Sequence, residues 1–417
     1  MKSKFKLFSG TSAFRIAVLL LLLSSNMYAQ DNSKYERIKV ALDSVRSSYE
    51  KITNRSCPSI NILIHTPVDY IFVSSAADGI SPLTKDTYFR FASNTKNFTS
   101  ASILNMQEDG WLDIKSLIVD KIPGSNIPYV PDTPEFDIPY KNQITIEQLL
   151  QHAAGVYDVD NDSVPGYGGL SYVDYMTFKN PAHQFELKDL VEQAANNKIS
   201  FFPLGQGYHY SNTGYTILSE IIERVYTFRS GSTKLYADYI NDFITGTSAK
   251  VPLDISFPYL ASDNTMRSPF VTGSLITPDS TAIYSSVNMS AHVGEGNGYT
   301  TFSELDKYVR SLMKGENVLT PASVELMQKS VSEHNKTYGL GCFYIEDLGY
   351  GHNGCIKGYL SNMLYDPLTD VSLIIMMPVN DYTFPNEEGI VHGLKALANA
   401  GFKARMALGF PGKDIGY

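Results

Sequence analysis

Residues 89–98 read FRFASNTKNF, an apolar approach that delivers Ser93 and, three positions later, Lys96. Apolar spacing continues over residues 101–106 and stops at the sequence EDG of residues 108–110, so we expect a buried helix that opens at the serine. Side chains three apart share one helix face, which would place the lysine amine beside the hydroxyl. A serine is a weak nucleophile until a neighbour takes its proton, so Ser93 is the candidate nucleophile.

The Ser-x-x-Lys spacing by itself is weak evidence, because it also occurs at Ser3, Ser48 and Ser311. Ser3 lies in a basic leader, and the other two lie in stretches with the pattern of polar helix faces. An isolated match of this kind is more often structural than catalytic. Ser93 differs from them in its position at the start of a buried helix and in the motifs that follow it.

The second motif is Tyr210-Ser211-Asn212, which places a phenol and a carboxamide two residues apart in a tight turn. A phenol titrates near a pH of about 10, and a neighbouring ammonium favours the phenolate. Tyr210 is therefore a candidate base for the serine. Asn212 could donate to the carbonyl of an acyl-amide substrate and also hold the lysine in place. The same spacing at Tyr140 and Tyr239 has no such context.

The third motif is His352-Asn353-Gly354-Cys355, which we expect on a strand. His352 and Asn353 would face the cleft and bind substrate, and Gly354 would let a substrate backbone come close. The backbone amides of Ser93 and Cys355 could together form an oxyanion hole.

Two further polar groups have a simpler interpretation. Asp158, Asp160 and Asp162 alternate as at the start of a calcium loop, but the glycine and glutamate required at the sixth and twelfth positions are missing. A solvated acidic turn is expected there, and no metal site. His292 precedes Val293-Gly294 in a stretch without strand character, so it is expected to have no role in the site.

Taken together, these motifs resemble the serine β-lactamase and penicillin-binding superfamily, in its class C β-lactamase and D-alanyl-D-alanine carboxypeptidase branch. The resemblance runs from about residue 58 to about residue 400, with the motifs in family order. The blocks that carry it lie at residues 89–110, 145–155, 202–215 and 338–354.

The resemblance implies acyl transfer. Ser93 would attack an amide or ester carbonyl, Lys96 and Tyr210 would move the protons, and water would release a covalent acyl-enzyme. The family uses no metal and no cofactor, so none is expected here.

The third motif limits the substrate. Class C β-lactamases usually have Lys-Thr-Gly where this chain has His352, Asn353 and Gly354. An unperturbed imidazole is mostly neutral at pH 7 and holds a substrate carboxylate less well than lysine does. We therefore expect a D-alanyl-D-alanine carboxypeptidase-like peptidase acting on cell-wall peptides. An esterase or a β-lactamase on the same site is the first alternative, and a non-catalytic penicillin-type sensor or binding module is the alternative of another class.

The order of the predicted elements indicates the fold. Strands are expected near both ends of the chain and helices in its middle, which predicts an α/β (α+β) fold with one antiparallel sheet built from both chain ends. Helices would flank this sheet beside a mostly helical region. We expect residues 30–417 to form a single domain, with its α/β part at about 30–90 and 335–417 and its helical part at about 91–334.

Composition and the amino terminus indicate where the protein acts. Of the 417 residues, 43% are hydrophobic and 18% charged, and the net charge of −9 makes nucleic acid an improbable partner. Residues 1–29 have the basic start and apolar run of a secretory signal peptide. The run is shorter than the roughly 20 residues of a membrane span. We therefore expect an exported protein, periplasmic or secreted, without a stable membrane span. The partner would be a small peptide, ester or β-lactam, and the sequence gives no oligomeric state.

The three cysteines are Cys57, Cys342 and Cys355. If Leu348-Gly349 closes a two-residue hairpin, Cys342 and Cys355 lie opposite each other and could form a disulfide. A bulge at Gly349 would separate them.

Overall fold

The computed structural model describes residues 10–278, 280–284, 286–384 and 388–417, with residues 10–31 described only as helical backbone. The first nine residues of the predicted leader lie outside the described residues, and its remainder is part of the first helix. The helices are α1 (Gly10–Thr53), α2 (Thr95–Glu108), α3 (Ile146–Leu150), α4 (Tyr172–Lys179), α5 (Leu187–Asn197), α6 (Asn212–Ser230), α7 (Tyr236–Tyr239), α8 (Phe302–Met313), α9 (Pro321–Lys329) and α10 (Glu388–Ala407). The strands are β1 (Ser59–His65), β2 (Tyr70–Ala76), β3 (Tyr88–Arg90), β4 (Gly273–Ile276), β5 (Thr281–Tyr284), β6 (Tyr299–Thr301), β7 (Phe343–Ile345), β8 (Gly349–Ile356), β9 (Tyr359–Asp366), β10 (Val371–Met377) and β11 (Val379–Asp381).

The main sheet joins the two ends of the chain. Its six strands lie in the order β2-β1-β10-β9-β8-β7, and every neighbouring pair is antiparallel. The pairing of β1 with β10 is the point at which the amino-terminal and carboxyl-terminal strands meet. This arrangement confirms the predicted fold class. Two small sheets, β11-β4-β5 and β3-β6, flank the main one.

The three central strands of the main sheet, β1, β10 and β9, are buried along almost their whole length, so both faces of the sheet are covered at its centre. On β1, Ile60, Ile62 and Ile64 pack in the same core as α1 and α10, whereas Leu63 packs in the core of the helical region. Successive side chains on a strand point to opposite faces, so β1 contributes side chains to both cores. The sheet therefore separates a layer formed by α1 and α10 from a second layer that contains α2, α6 and α8.

Helix α2 lies at the centre of the second layer. All of its residues from Thr95 to Met106 are buried, and α6 packs against it. The amino terminus of α6 is capped by the Ser211 hydroxyl, which accepts from the Gly214 amide at 3.1 Å. This cap fixes the first turn of α6 next to the first turn of α2, which is where the sequence motifs meet.

Of the two alternatives left open for Cys342 and Cys355, the structure has the free thiols. Within the described residues no disulfide joins Cys342 to Cys355, because the β7–β8 register pairs Phe343 with Gly351 and Ile345 with Gly349. Residues 346–348 form the turn between the two strands, so Cys342 and Cys355 are not opposite each other and their sulfurs are not brought together.

The segment 226–300 is more regular than its composition indicates, since it includes α7 and β4 to β6. No helix in the described part of the chain is long and apolar enough to cross a membrane.

Candidate active site

Ser93 lies in a single 3-10 turn, Ala92–Asn94, immediately before α2. The preceding residue, Ala92, has a φ of 51°, a left-handed conformation that is uncommon for a residue with a side chain. The side-chain amide of Asn94 fixes the turn. Its Nδ2 donates to the Phe91 carbonyl at 2.6 Å and to the Ser361 hydroxyl on β9 at 2.9 Å. The nucleophile candidate is therefore held against the main sheet by its neighbours.

Lys96 is completely buried, and its ammonium group contacts three residues. Nζ lies 3.1 Å from Ser93 Oγ, 2.6 Å from Asn212 Oδ1, and 2.9 and 3.3 Å from the carbonyl and a carboxylate oxygen of Glu295. Burial lowers the pKa of Lys96 below its usual value, although the charges of Glu295 and Asp158 oppose the shift. The neutral form of the amine is therefore easier to populate than it is in water, and Nζ lies at hydrogen-bond distance from the serine hydroxyl.

Tyr210 lies on the other side of this pair. Lys96 Nζ is 4.7 Å from the centroid of the Tyr210 ring. Burial raises the pKa of the Tyr210 phenol well above its ordinary value, and the neighbouring Ser93 hydroxyl lowers it only in part. The expected phenolate is therefore not favoured. Of the two groups, Lys96 has the properties of a base and Tyr210 those of a proton donor.

Asn212 is the first residue of α6 and uses both ends of its side-chain amide. Its Oδ1 accepts from Lys96 at 2.6 Å, and its Nδ2 donates to Asp160 Oδ2 at 2.7 Å. The expectation that Asn212 holds the lysine agrees with this geometry. One hydrogen of the Asn212 side-chain amide is thus committed to Asp160, and the predicted contact of Asn212 with a substrate stays a prediction.

The acidic stretch around Asp158 is not the solvated turn that its composition suggests. Asp158 is completely buried, and its carboxylate accepts from the backbone amides of Asp160 at 3.0 Å and Asn212 at 2.9 Å. Burial raises the pKa of Asp158 to about 7, and the nearby charge of Asp160 adds to the rise. The stretch therefore caps the amino terminus of α6 from outside the helix, where unpaired amides attract acceptors.

His292, which was expected to have no role, also belongs to the site. Its Nδ1 lies 2.7 Å from Glu295 Oε1 and 3.5 Å from Asp160 Oδ2. Burial would lower the pKa of His292, but the charges of Asp160 and Glu295 raise it to about 10. The spacing of His292 and Glu295 in an irregular loop gave no recognisable motif, so the sequence did not reveal the pair.

His352 is placed differently from the expectation. Its side chain is completely buried, with Nε2 2.9 Å from the Tyr338 hydroxyl and Nδ1 2.6 Å from the Asn353 carbonyl. The same hydroxyl lies 3.1 Å from Nε2 of His152, whose Nδ1 accepts from the Ser211 amide at 3.1 Å. Both ring nitrogens of His352 are occupied, so a substrate cannot contact it directly in this arrangement.

These hydrogen bonds run in series from the Ser211 amide to the Asn353 carbonyl, and these two groups determine which nitrogen of each histidine carries a proton. A backbone amide can only donate and a carbonyl can only accept, so His152 carries its proton on Nε2 and His352 carries its proton on Nδ1. Burial, followed by the charge of Lys96, lowers the pKa of His352 to about 3 and that of His152 well below its usual value. Both imidazoles are therefore neutral at physiological pH.

Gly354 has a packing role that the sequence did not indicate. A Cβ atom there would overlap the Phe91 carbonyl oxygen and lie 2.9 Å from Asn94 Nδ2. The missing side chain thus lets β8 lie directly on the serine turn. Asn353 and Cys355, on either side of it, are only partly buried. The predicted oxyanion hole, formed by the amides of Ser93 and Cys355, remains a prediction.

One group of side chains has a spacing that a metal ion could use. Asp160, His292 and Glu295 offer ligand atoms that all lie within 4.8 Å of one another. Their ligand atoms are already engaged with one another and with Asn212, and Lys96 Nζ lies 3.3 Å from the Glu295 carboxylate that a cation would need. We therefore interpret the group as an ion-pair network, and the expected independence from cofactors stays a prediction.

Comparison with known proteins agrees with this geometry. The family model described as Beta-lactamase matches residues 67–397. The chain belongs to the beta-lactamase family. It is 30% identical over 164 residues to penicillin-binding protein 4* of Bacillus subtilis, a match that covers 39% of this chain and 29% of the relative. The matched part thus spans less than a third of that protein.

Two solved structures share the fold. A D-stereospecific amidohydrolase from Streptomyces sp. has a TM-score of 0.64 at 20% identity, covering 83% of this chain and 94% of its own. The D-amino acid amidase of Ochrobactrum anthropi SV3 has a TM-score of 0.63 at 17% identity, covering 88% and 99%. The resemblance inferred from the motifs is confirmed, and the chain belongs to the serine β-lactamase and penicillin-binding superfamily.

Proposed function

We propose that this protein cleaves amide or ester bonds of small peptide-like substrates through a covalent acyl-enzyme on Ser93. The observation that carries the proposal is the contact of 3.1 Å between the buried Lys96 amine and the Ser93 hydroxyl. Burying a charged lysine is costly, and a protein that only bound a ligand would not need an amine in that position. This favours an enzyme over a penicillin-type sensor.

The proton path follows from the two pKa shifts. Neutral Lys96 takes the Ser93 proton as Oγ attacks the substrate carbonyl, and the amides of Ser93 and Cys355 stabilise the resulting oxyanion. The Tyr210 phenol then gives its proton to the leaving group as the carbonyl–leaving-group bond breaks. Lys96 then passes its proton to the Tyr210 oxygen. Water completes the cycle by hydrolysing the ester between the acyl group and Ser93.

The substrate class follows from the buried third motif. A D-alanyl-D-alanine carboxypeptidase or a β-lactamase must hold a substrate carboxylate, and the neutral, enclosed His352 offers no positive charge for it. The structural neighbours are named as an amidohydrolase and an amidase that act on D-configured compounds. We infer that amides and short peptides of D-amino acids are better substrates than peptides whose free carboxylate must be bound. Carboxypeptidase activity is the second candidate, supported by the penicillin-binding relative.

A labelling experiment tests the nucleophile. Wild-type protein, Ser93→Ala and Ser311→Ala are incubated with a fluorescent penicillin and with an activated ester, and the covalent adduct is measured. Ser311 is a matched control because it carries the same Ser-x-x-Lys spacing, with its hydroxyl bonded to the Lys307 carbonyl at 2.7 Å. We expect labelling of the wild type and of Ser311→Ala only. Equal labelling of all three proteins would exclude Ser93.

Turnover then separates the substrate classes. D-amino acid amides, their L-enantiomers and a D-alanyl-D-alanine peptide are compared at equal concentration by release of product. We expect the D-amides to be cleaved fastest. A preference for the carboxylate-bearing peptide would favour the carboxypeptidase, and the same comparison with a β-lactam tests the lactamase alternative.

The site of action is part of the proposal. The basic start and apolar run of residues 1–29 support export by a cleaved leader. Amino-terminal sequencing of protein recovered outside the cytoplasm should begin near residue 30.

A further inference from the structure

The polar groups around Lys96 form a closed ring. From Lys96 Nζ the contacts run to Asn212 Oδ1 at 2.6 Å, and from Asn212 Nδ2 to Asp160 Oδ2 at 2.7 Å. They continue from Asp160 to His292 Nδ1 at 3.5 Å, from His292 to Glu295 Oε1 at 2.7 Å, and from Glu295 Oε2 back to Lys96 at 3.3 Å. Each member has a partner on both sides, so the ring fixes the lysine from two directions.

The charge of His292 offsets part of the negative charge of the ring. Asp160 and Glu295 contribute two negative charges, and His292 lies between them with both carboxylates within 3.5 Å. All three side chains are largely enclosed, with exposed fractions of 12%, 3% and 15% for Asp160, Glu295 and His292. In such surroundings charge interactions are only weakly screened. Without His292, the two carboxylates would act on Lys96 alone.

That arrangement has a consequence for the chemistry. A lysine beside two uncompensated carboxylates is held as an ammonium, and an ammonium cannot accept the serine proton. We propose that His292 is a positioning residue which, by keeping a positive charge between Asp160 and Glu295, leaves the Lys96 amine free to act as the proton acceptor for Ser93. This inference rests on the proposed function and adds the residues that regulate its base.

Several other titratable groups face Lys96, and they matter for the test. The two tyrosines and two histidines among them stay neutral near pH 7, because burial raises the pKa of the phenols and lowers that of the imidazoles. Asp158, whose pKa is raised to about 7, is the one that titrates in the same range. Among the residues that the structure describes, the titratable groups that face Lys96 beyond the ring are Asp158, Tyr210, Tyr215, His152 and His352.

The test is the pH profile of acylation, measured as the rate of adduct formation with an activated ester between pH 5 and pH 9. The proposal predicts shifts of opposite sign. His292→Gln removes a positive charge and should move the acidic limb to higher pH by about one unit, a roughly tenfold loss of rate at a fixed pH below the limb. Glu295→Gln removes a negative charge and should move the limb to lower pH.

Matched variants separate charge from structure. Glu295→Asp keeps the charge and should leave the limb near the wild-type position. His209→Gln removes a half-exposed histidine that lies 3.4 Å from a carboxylate oxygen of Asp162, outside the ring, and should not move the limb. Asp158→Asn shows which group causes the acidic limb. We expect the limb to persist in this variant. If the limb disappears, Asp158 causes it and the proposal is overturned.

The outcomes distinguish this inference from the proposed function. If the wild type forms no Ser93-dependent adduct, the proposed function itself fails. If the adduct forms but His292→Gln and Glu295→Gln lower the rate without moving the limb, or move it in the same direction, the ring is only structural. Should His292→Gln fail to fold, as judged by its circular dichroism, the direction of the Glu295→Gln shift relative to Glu295→Asp decides alone.

Discussion

At Lys96, two opposing effects decide which proton can move. Removal from water favours the neutral amine, and the carboxylates of Glu295 and Asp158 favour the ammonium. The net pKa is lowered, so removal from water dominates. The same burial acts in the opposite sense on Tyr210, because a phenol loses its proton to become charged. Removal from water therefore gives the two neighbours different roles, a base and a donor.

The role of Tyr210 can be tested with two leaving groups. Tyr210→Phe should slow acylation by an amide on the order of 10²-fold or more, as expected for loss of a general acid. A p-nitrophenyl ester, whose leaving group departs without a proton, should be affected much less. Acylation rates measured by stopped flow with both substrates check this. An equal loss for both would mean that Tyr210 acts as the base, and no loss for either would remove it from the mechanism.

The neutral state of His352 makes stability depend on pH. In the unfolded chain this histidine binds a proton below its ordinary value of 6.5, whereas in the folded protein it does so only near about 3. The unfolded state thus holds more protons between these limits, and stability falls as the pH drops through them. Asp158 acts in the opposite sense, since its pKa is raised to about 7, so the wild-type curve alone is not diagnostic.

A difference measurement isolates His352. The free energy of unfolding is measured in denaturant at several pH values for wild type and for His352→Gln. The advantage of wild type over the variant should shrink by about 1.4 kcal/mol per pH unit between pH 6 and pH 4. The same change at the exposed His334 is the control for losing an imidazole. Parallel curves for wild type and His352→Gln would show that the buried histidine does not titrate as described.

At the scale of elements, the site depends on how closely β8 approaches the turn before α2. Gly354 is the residue that permits this approach, because any side chain would meet the Phe91 carbonyl and the Asn94 amide. Cores and close-packed backbones cannot absorb an added methyl group without displacement. The distance between strand and turn is therefore set by a single glycine.

Gly354→Ala should therefore separate β8 from the serine turn. We expect a destabilisation of about 1–3 kcal/mol, typical of overpacking, and a loss of acylation of about 10²-fold, since a small misplacement in an active site can cost that much. Gly214→Ala on α6 is the matched control, because a Cβ atom there would have no neighbour closer than 3.8 Å. Thermal unfolding and ester acylation of both variants check this. Wild-type acylation in Gly354→Ala would contradict the proposed packing.

At the scale of the whole molecule, stability depends on the two chain ends being joined. Helix α1 packs against α10 and the sheet through Ile38, Leu42, Val45 and Tyr49, all of which are completely buried. The sheet that carries β8 is thus held by a layer assembled from residues more than 300 positions apart. The candidate catalytic side chains lie in the layer on the opposite face of this sheet.

Leu42→Ala should destabilise the whole protein although it lies outside the site. Truncation of a buried leucine costs about 2–5 kcal/mol, whereas Val40→Ala on the exposed side of the same helix should change stability by no more than about 0.5 kcal/mol. Val40 is 67% exposed. Denaturant unfolding of both variants provides the measurement. Equal effects would mean that α1 does not pack as described.

The sequence alone determined the fold class and the family, and it predicted that Lys96 lies beside the candidate nucleophile Ser93. Those features depend on local patterns, namely apolar periodicity and the Ser93–Lys96 spacing along one helix turn, which neighbours in the chain fix by themselves. The burial of the acidic loop, the inclusion of His292 and the enclosure of His352 were decided only by the tertiary structure. The physical reason is that protonation and charge depend on which distant side chains exclude water from a group, and residues 96, 160, 212 and 295 become neighbours only when the chain has folded.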